Sequence, residues 1–373
     1  MKTYLLSLAM ASLLIAGCSS KKKTDNSNSQ TVPVIESSGN NFNFAFVGCN
    51  RVEYGDRDNS AATDASTANL SALKRIFKEI STMENKPEIL FFLGDLVLAE
   101  STTGALDSQL VSWVNLYQDS TFSKIQQSGI ELVAVPGNHE MLYYKDYGIP
   151  KHDEWPLKGA SKVWMKHMAP YMPKDRDRVT GSDSVVNQMT FSFVRHNVGF
   201  VVMNTDTYNA PTEKDPYGVE GIIPTDWIVA KVQEYQQDPN IDHIFVLGHK
   251  PYYVSGKPET GHDGLPEGPV LWPKLNEAHV VAMLSAHVHD YQRVQPEDQG
   301  TYQVVAGNGG SKGTATFFGY SVVHITKGQE PLLISRGYDI GDPYYAAVPQ
   351  NPFTTRDSTL LSWTKNANPY SVQ

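Results

Sequence analysis

The feature that most constrains the fold is a short apolar run ending in a small residue and a polar side chain, which recurs along the chain. Five such runs predict buried β-strands, and segments with a helical spacing of apolar residues lie between several of them. The runs span residues 42–47, 88–93, 130–135, 241–247 and 279–284. Strands that alternate with helices indicate an α/β core.

Each predicted strand is followed by a side chain that can bind a metal ion. In chain order these side chains are Cys49, Asp95, Asn138, His249, and the pair His287 and His289. Ligands of open α/β sheets bind outside the carboxyl ends of the strands, so we expect all six side chains to converge. A set of carboxylate, amide, imidazole and thiolate groups favours iron, zinc or manganese over calcium or magnesium. The alternative for the two last histidines is that they are ordinary polar loop residues.

Composition limits the classes of partner. The chain has 373 residues, 40% of them hydrophobic, which is enough for a large core in one or two domains. Its formal net charge is −9, and no basic run lies within the predicted globular part. Nucleic acid is therefore not expected as a main partner.

The N-terminal segment has the pattern of a targeting sequence. An apolar stretch, residues 5–16, is too short for a usual membrane span and closes on the string LIAGC, whose cysteine is Cys18. This string resembles the bacterial lipobox, which implies a signal peptide over residues 1–17 and lipidation of Cys18; an ordinary secretory signal is the alternative. Residues 18–40 are mostly polar or small, with too few apolar side chains to pack, so this segment is predicted to be a flexible tether. We therefore expect a lipoprotein of the bacterial cell envelope, anchored to a membrane on its extracytoplasmic side.

Four of the polar strand ends carry motifs that resemble, in order, those of the calcineurin-like metallophosphoesterases. They are Gly94-Asp95, Gly137-Asn138-His139-Glu140, Gly248-His249 and His287-Val288-His289. The run AHVHDYQR from Ala286 and the run VVAGNGG from Val304 look most like the purple acid phosphatase branch. The resemblance covers roughly residues 42–325. It implies a four-layer α/β sandwich of two mixed β-sheets flanked by helices, with a metal site at the carboxyl ends of the strands.

The resemblance also implies a role for each site residue. Asp95 would bridge two metal ions, and His289 would bind the ion in the first position. The second position would be completed by Asn138, His249 and His287. His139 would bind no metal and would protonate the leaving oxygen. Two ions of iron, zinc or manganese would activate a water molecule, so the implied reaction is hydrolysis of a phosphate ester in a phosphorylated substrate.

Two departures from the family pattern affect the first position. The family's first motif is usually Asp-x-His, whereas this chain has Cys49 and Arg51 there. A thiolate is a competent ligand for iron or zinc, so Cys49 is predicted as a metal ligand, against the alternative of a small buried thiol. Arg51 cannot bind a metal; it suits a phosphate oxygen of the substrate, or it pairs with a nearby carboxylate. Leu98 stands where purple acid phosphatases carry a ligating tyrosine, so no charge-transfer colour is expected.

Acidic residues near the first motif are further candidates for the first position: Glu53, Asp56 and Asp58. His262 lies in a polar context and is interpreted as a solvated residue.

The sequence thus predicts a catalytic domain at residues 41–330, with an inserted loop region at 141–183 and a C-terminal extension at 331–373. The favoured function is metal-dependent hydrolysis of phosphate monoesters by a cell-envelope lipoprotein. A phosphodiesterase of the same fold is the near alternative. The altered first motif motivates another alternative, a binding lipoprotein that has lost the first metal and catalysis. Residues after 337 show no clear periodicity.

Overall fold

The structure is a computed structural model that describes residues 41–59, 64–144, 154–179, 188–206, 222–346 and 351–363. The predicted signal peptide, Cys18 and the tether lie outside the described residues, so the signal peptide, the lipidation and the tether stay predictions. Within the described part of the chain, every helix is too short or too polar to cross a membrane.

The secondary structure alternates between strands and helices as the sequence predicts. The described strands are β1 (Asn41–Val47), β2 (Ile89–Leu93), β3 (Glu131–Val135), β4 (Leu142–Tyr144), β5 (Glu154–Pro156), β6 (Asp177–Arg178), β7 (Phe191–Arg195), β8 (Val198–Val202), β9 (His243–Leu247), β10 (Tyr253–Val254), β11 (Lys257–Pro258), β12 (Ala282–Ser285), β13 (Tyr291–Val294), β14 (Tyr302–Ala306), β15 (Phe317–Thr326), β16 (Leu332–Asp339) and β17 (Thr354–Leu360). The described α-helices are α1 (Leu70–Thr82), α2 (Thr103–Gln118), α3 (Asn138–Met141), α4 (Ala160–Met168), α5 (Thr225–Gln237) and α6 (Gly268–Glu277). The 3₁₀ turns are Tyr54–Asp56, Ala99–Ser101, Gln126–Ser128, Ala169–Tyr171 and Pro296–Asp298.

Two mixed sheets form the centre of the fold. The first has the order β17-β16-β15-β1-β2-β3, in which β1, β2 and β3 are parallel. The second has the order β13-β14-β12-β9-β8-β7-β6, in which β8, β9, β12 and β14 are parallel. The five strands predicted from the apolar runs are β1, β2, β3, β9 and β12. All five therefore lie in the parallel parts of the two sheets, where their carboxyl ends point the same way within each sheet.

The sheets pack face to face through aromatic side chains. The ring of Phe44 on β1 lies 5.0 Å from the ring of Phe200 on β8 and 5.0 Å from that of Phe245 on β9. Both pairs have the edge-to-face geometry that aromatic rings favour. Outside the first sheet, Trp113 of α2 contacts Phe92 of β2. Outside the second sheet, buried residues of α5 and α6 form a separate core with residues of β8, β9 and β12. The predicted four-layer α/β sandwich is confirmed.

The first two helices differ in their bounds from the sequence prediction. The spacing predicts a helix over 65–83, but α1 begins at Leu70 because the side chain of Asn69 accepts a hydrogen bond from the N–H of Ala72. The helix predicted over 107–128 begins at Thr103, where Thr102 caps it in the same way, and ends at Gln118. A turn follows, since the carboxylate of Asp119 accepts the backbone N–H of Thr121.

Two regions without a clear sequence signal are more regular than expected. In the inserted region, β4 pairs with β5, and α4 packs against α2; residues 145–153 and 180–183 lie outside the described residues. At the other end of the chain, β17 pairs with β16, which pairs with β15. Residues 332–339 and 354–360, beyond the predicted end of the catalytic domain, therefore belong to the first sheet. β17 reads TTRDSTL and lies at the sheet edge, so most of its side chains are polar and no periodicity marks it.

The edge strands of the two sheets are joined by a buried ion pair. Asp357 of β17 accepts two hydrogen bonds from the guanidinium of Arg293 on β13, at 2.6 and 3.1 Å. The hydroxyl of Tyr291, at the start of β13, donates to the same carboxylate at 2.7 Å. A bidentate pair of this kind fixes orientation as well as distance. It ties the loop that precedes β13 to the last described strand.

A buried histidine makes the stability of the fold depend on pH. His324 of β15 lies opposite Asn43 of β1, and its Nδ1 is 2.9 Å from Asn43 Oδ1. Burial lowers the pKa of His324 from 6.5 to about 4. The unfolded chain takes up a proton below pH 6.5, whereas the folded chain does so only near pH 4. The free energy of unfolding should therefore fall as the pH decreases from 7 to 4, by roughly 3 kcal/mol at most from this residue.

Urea denaturation at a series of pH values between 7 and 4 measures this fall. His324→Gln keeps a hydrogen-bond donor for Asn43 but cannot take up the proton, so its free energy of unfolding should change less over the same range. Equal changes in the wild type and the variant would contradict the prediction.

Candidate metal centre

All six predicted ligands lie in one region, at the carboxyl ends of the parallel strands. Three of them follow strands of the first sheet, and three follow strands of the second. They are Cys49 after β1, Asp95 after β2, Asn138 after β3, His249 after β9, and His287 with His289 after β12. The sandwich thus places both sheets around one centre, as expected for ligands at strand ends.

Four donor atoms converge in the second position. Asn138 Oδ1 lies 2.9 Å from His249 Nε2 and 3.0 Å from His287 Nδ1. The two ring nitrogens are 3.1 Å apart, and Asp95 Oδ1 lies 3.3 Å from His249 Nε2. Each of these four residues is buried. The second position is accordingly defined by Asp95, Asn138, His249 and His287.

Backbone carbonyls determine which ring nitrogens carry hydrogen. His249 Nδ1 lies 2.6 Å from the carbonyl oxygen of Leu93, and His287 Nε2 lies 2.9 Å from that of His262. A carbonyl oxygen only accepts, so both nitrogens must be donors. In the neutral rings, His249 Nε2 and His287 Nδ1 then each carry a lone pair. Two imidazole lone pairs, an amide oxygen and a carboxylate oxygen thus face one another, an arrangement that fits a bound cation.

Three of the predicted ligands have a left-handed backbone conformation. The φ angle is 57° at Cys49, 56° at Asp95 and 61° at His287. Residues other than glycine rarely adopt this region, and it costs about 1–3 kcal/mol for each residue. Such conformations cluster at functional sites, where the surrounding structure holds them. Nine other described residues besides glycine also have a positive φ, so at these three strand ends the conformation shows how the loops turn and does not by itself mark the site.

The glycines before two ligands allow their loops to approach each other. Gly94 has a φ of 87°, and a Cβ atom there would lie 2.5 Å from His249 Nδ1. At Gly137 a Cβ atom would lie 2.4 Å from Asp95 Oδ1. Both distances are shorter than any real contact of a Cβ atom, so a side chain at either position would separate Asp95 from its partners in the second position.

Glu140 joins two of the ligand loops. It is fully buried, and its carboxylate accepts hydrogen bonds from the N–H groups of Asp95, Leu96 and Val97 after β2, and from that of Gly137 after β3. The four distances lie between 2.7 and 3.1 Å. Burial and the charge of Asp95 raise the pKa of Glu140 to about 7, although the backbone donors oppose the rise. The sequence shows Glu140 only as the end of a motif.

The side chains expected around the first position surround Arg51. Its Nη2 lies 3.4 Å from His289 Nε2, its Nη1 lies 3.2 Å from Glu53 Oε2, and its Nε lies 3.8 Å from Asp95 Oδ2. His289 Nδ1 is 3.4 Å from Glu53 Oε1. Of the other acidic candidates, Asp58 is exposed and lies near Arg57. The structure thus pairs Arg51 with carboxylates at the site; contact with substrate stays a prediction.

Cys49 lies beside the first position but away from solvent. The residue is fully buried, and its Sγ is 3.9 Å from Asp95 Oδ2. Burial, reinforced by the charge of Asp95, raises the pKa of the Cys49 thiol. A protonated thiol can donate a weak hydrogen bond to the carboxylate. Metal binding by Cys49 stays a prediction.

The charges of the site act on each other strongly because they are buried. Burial alone would raise the pKa values of Asp95 and Glu53, but the neighbouring histidines and Arg51 outweigh it. They lower the pKa of Asp95, and they lower that of Glu53 to about 2. Burial, together with the charge of Arg51, lowers the pKa of His139 to about 3. The carboxylates of Asp95 and Glu53 are therefore ionised at neutral pH.

An open cavity of about 390 Å³ leads to the centre, and Arg51 and His139 are among the residues that line it. His139 Nδ1 lies 3.1 Å from the carbonyl oxygen of Leu98, so this nitrogen is the donor. The ring of Tyr54 lies 5.8 Å from that of His139. The cavity thus brings the predicted acid and the predicted substrate-binding residue to the same opening.

Sequence reasoning missed part of the cavity rim. His262 is more than half exposed, as interpreted, yet its ring lies 5.2 Å from the ring of His287 and it lines the cavity. Asp263 lies beside it, with Oδ1 4.0 Å from His287 Nε2. Ligand atoms of these two residues and His287 lie within 4.8 Å of one another, but His287 Nε2 donates to the carbonyl of His262 and its Nδ1 belongs to the second position, so the three residues form no separate metal site. In the sequence, His262 and Asp263 are marked only by their place in a polar loop after His249, and such a loop does not by itself indicate a site.

Loss of the Glu140 carboxylate should destabilise the fold. Glu140→Ala leaves four buried N–H groups without their acceptor, and each such loss costs about 1–3 kcal/mol. We expect the free energy of unfolding, measured with urea, to fall by about 3 kcal/mol or more. Glu131→Ala is a matched control, because Glu131 is a partly exposed glutamate that pairs with Arg195, and it should cost about 1 kcal/mol or less. Equal losses would show that Glu140 does not hold the loops.

Comparisons with known proteins agree with this architecture. The sequence profile of the calcineurin-like phosphoesterase family matches residues 44–291. No curated protein matches the chain. Among solved structures, that of PhoD covers 92% of this chain and 74% of its own at 14% identity, with a TM-score of 0.54. GAP50, the anchor in the inner membrane complex of Plasmodium, covers 80% of this chain and 84% of its own at 15% identity, with a TM-score of 0.46.

A 5'-nucleotidase from Candida albicans covers 82% of this chain and 53% of its own, at 12% identity and a TM-score of 0.42. At these identities the likeness of structures concerns the fold alone. The profile match is different in kind, since it compares sequences and spans well over half of the chain. It includes all six predicted ligands, from Cys49 to His289. The chain belongs to the calcineurin-like phosphoesterase family.

Proposed function

We propose that this protein hydrolyses phosphate esters with the help of bound metal, and that phosphate monoesters are its substrates. The observation that carries the proposal is the convergence of four lone-pair donors in the second position, beside His139 and Arg51 in one open cavity. Membership of the calcineurin-like phosphoesterase family supports hydrolysis as the reaction.

The residues of the second position fit the metal that the family implies. Asp95, Asn138, His249 and His287 would hold it there. A metal ion bound at this point lowers the pKa of a water molecule and stabilises charge on the phosphoryl oxygens. Carboxylate, amide oxygen and imidazole ligands suit iron, zinc or manganese.

Arg51 and His139 would act on the substrate directly. A guanidinium always carries its charge and binds phosphate oxygens through its N–H groups, so Arg51 would orient the phosphoryl group. His139 Nδ1 is engaged with the carbonyl of Leu98, which leaves Nε2 as the nitrogen that can serve the leaving oxygen. In the free protein this nitrogen carries a lone pair, so His139 would first take up a proton there, which the negative charge of a bound phosphate ester favours, and would pass it to the leaving oxygen as the phosphorus–oxygen bond breaks.

The preference for monoesters follows from charge. A monoester dianion carries more negative charge than a diester, and it is therefore attracted more strongly by a metal ion and a guanidinium in one cavity. The test compares the hydrolysis of para-nitrophenyl phosphate and bis-para-nitrophenyl phosphate by the purified, metal-loaded protein. Faster turnover of the diester would favour the phosphodiesterase alternative. The altered first motif motivates the alternative of a binding protein without catalysis. Binding of phosphate without hydrolysis of either ester would favour that alternative.

His139→Ala should lower turnover by roughly 10²-fold or more, because the leaving oxygen would lose its proton donor. His139→Gln separates proton transfer from simple hydrogen bonding, since an amide can donate a hydrogen bond but cannot give up its proton at neutral pH. Both variants should be similarly slow if the proton matters. His196→Ala, at an exposed histidine that pairs with Glu88, is the control and should keep the wild-type rate. An unchanged rate in His139→Ala would remove His139 from this role.

We also propose that the protein is a lipoprotein of the cell envelope. The LIAGC string ending at Cys18 supports this location. In cells that express the full chain, radioactive palmitate should label the wild type and leave Cys18→Ser unlabelled, and only the wild type should sediment with membranes. Labelling of the variant would contradict lipidation at Cys18.

A further inference from the structure

We propose that the guanidinium of Arg51 takes the place of the first metal ion, so that the centre holds one metal ion, in the second position. This inference deepens the proposed function and rests on it for the nature of the site. It differs from the two ions that the sequence resemblance implies.

Two carboxylates and an imidazole surround the guanidinium of Arg51. Carboxylate oxygens of Glu53 and Asp95 lie 3.2 and 3.8 Å from its nitrogens, and His289 Nε2 lies 3.4 Å away. Asp95 and His289 are the residues that the resemblance assigns to the first metal ion. The cation that these residues contact in the structure is therefore the side chain of Arg51 itself.

The lone pair of His289 faces the guanidinium. A guanidinium has only donors, so His289 Nε2 must be the acceptor of the hydrogen on Arg51 Nη2. The hydrogen of the neutral ring is then on Nδ1, which faces Glu53 Oε1 at 3.4 Å. The lone pair that would bind a metal ion is already used by Arg51.

The two carboxylate oxygens of Asp95 have different partners. Its Oδ1 belongs to the second position, 3.3 Å from His249 Nε2, whereas its Oδ2 faces Arg51 Nε and the thiol of Cys49. A carboxylate that bridges two metal ions directs one oxygen to each. Here the second oxygen faces a permanent positive charge and a thiol, so the carboxylate would bridge a metal ion and a guanidinium.

Arg51 is held in place by burial and by hydrogen bonds. Only 8% of the residue is exposed, and Nη1 also donates to the carbonyl oxygen of Val52 at 3.3 Å. The carbonyl of Arg51 accepts a hydrogen bond from Ser311 Oγ at 2.7 Å. A buried positive charge fixed at this point repels a second cation, because two like charges at such short range interact strongly when water is largely excluded.

The experiment counts metal ions per chain. The full chain is purified in detergent, stripped with a chelator, reloaded separately with Zn²⁺, Mn²⁺ and Fe²⁺, and assayed by elemental analysis. The wild type should bind one ion. Arg51→His removes the guanidinium and adds an imidazole, so this variant should bind two; Arg51→Lys keeps the charge and should bind one. Arg57→His is the control, since Arg57 lies outside the centre and pairs with Glu100, and it should bind one.

A second measurement needs no variant. With Mn²⁺ bound, the wild type should give the electron paramagnetic resonance pattern of an isolated ion, not the more finely split pattern of a coupled pair. Two ions in the wild type, a coupled pair, or no ion at all would overturn the proposal. One ion in a folded Arg51→His variant would also overturn it, because the guanidinium would then not be what excludes the second ion.

The metal count is independent of turnover, so the two proposals can fail separately. A wild-type chain that binds one ion but hydrolyses no phosphate ester would support the role of Arg51 and reject the proposed function. A chain that binds two ions and hydrolyses phosphate esters would support the proposed function and reject the role of Arg51.

Discussion

The centre depends on one buried carboxylate that satisfies four backbone donors. Glu140 accepts the N–H groups of three successive residues after β2 and of Gly137 after β3, and none of these donors could reach water. The interaction fixes the loop in which Asp95 has a positive φ, so it offsets the strain of that conformation. Glu140 thereby holds together the two loops that pack closely at Gly94 and Gly137. The positions of the candidate ligands thus follow from a residue that is not itself one of them.

Asp95 connects this support to the chemistry of the site. One of its oxygens faces three neutral lone-pair donors, and the other faces a guanidinium and a thiol. The structure is therefore asymmetric about this carboxylate, although the family pattern would make it a bridge between two like ions. The asymmetry arises from the first motif, where Cys49 and Arg51 replace the usual pair of ligands. Glu53, two residues beyond Arg51, supplies the carboxylate that balances the added charge.

Much of this could be predicted from the sequence, because the signals are local. Apolar runs gave the five parallel strands, and the polar residues directly after them gave the candidate ligands. The start of α1 was predicted too early because the capping role of Asn69 depends on backbone geometry that periodicity does not show. β17 was missed because an edge strand needs few apolar residues. The pairing of Arg51 with His289 joins residues far apart in the chain, and no local pattern encodes it.

The ion pair between Asp357 and Arg293 has a consequence for the order in which the site is completed. β13 begins two residues after His289, and Tyr291 at its start is bound to Asp357 of β17. Synthesis proceeds from the N-terminus, so the loops that carry Asp95 and Asn138 exist long before β17 has left the ribosome. The loop with His287 and His289 gains its distal anchor only when this last described strand docks. One support of this loop therefore forms late, and a chain that ends before β17 would keep every candidate ligand while lacking the contact that ties two of them to the edge of the first sheet.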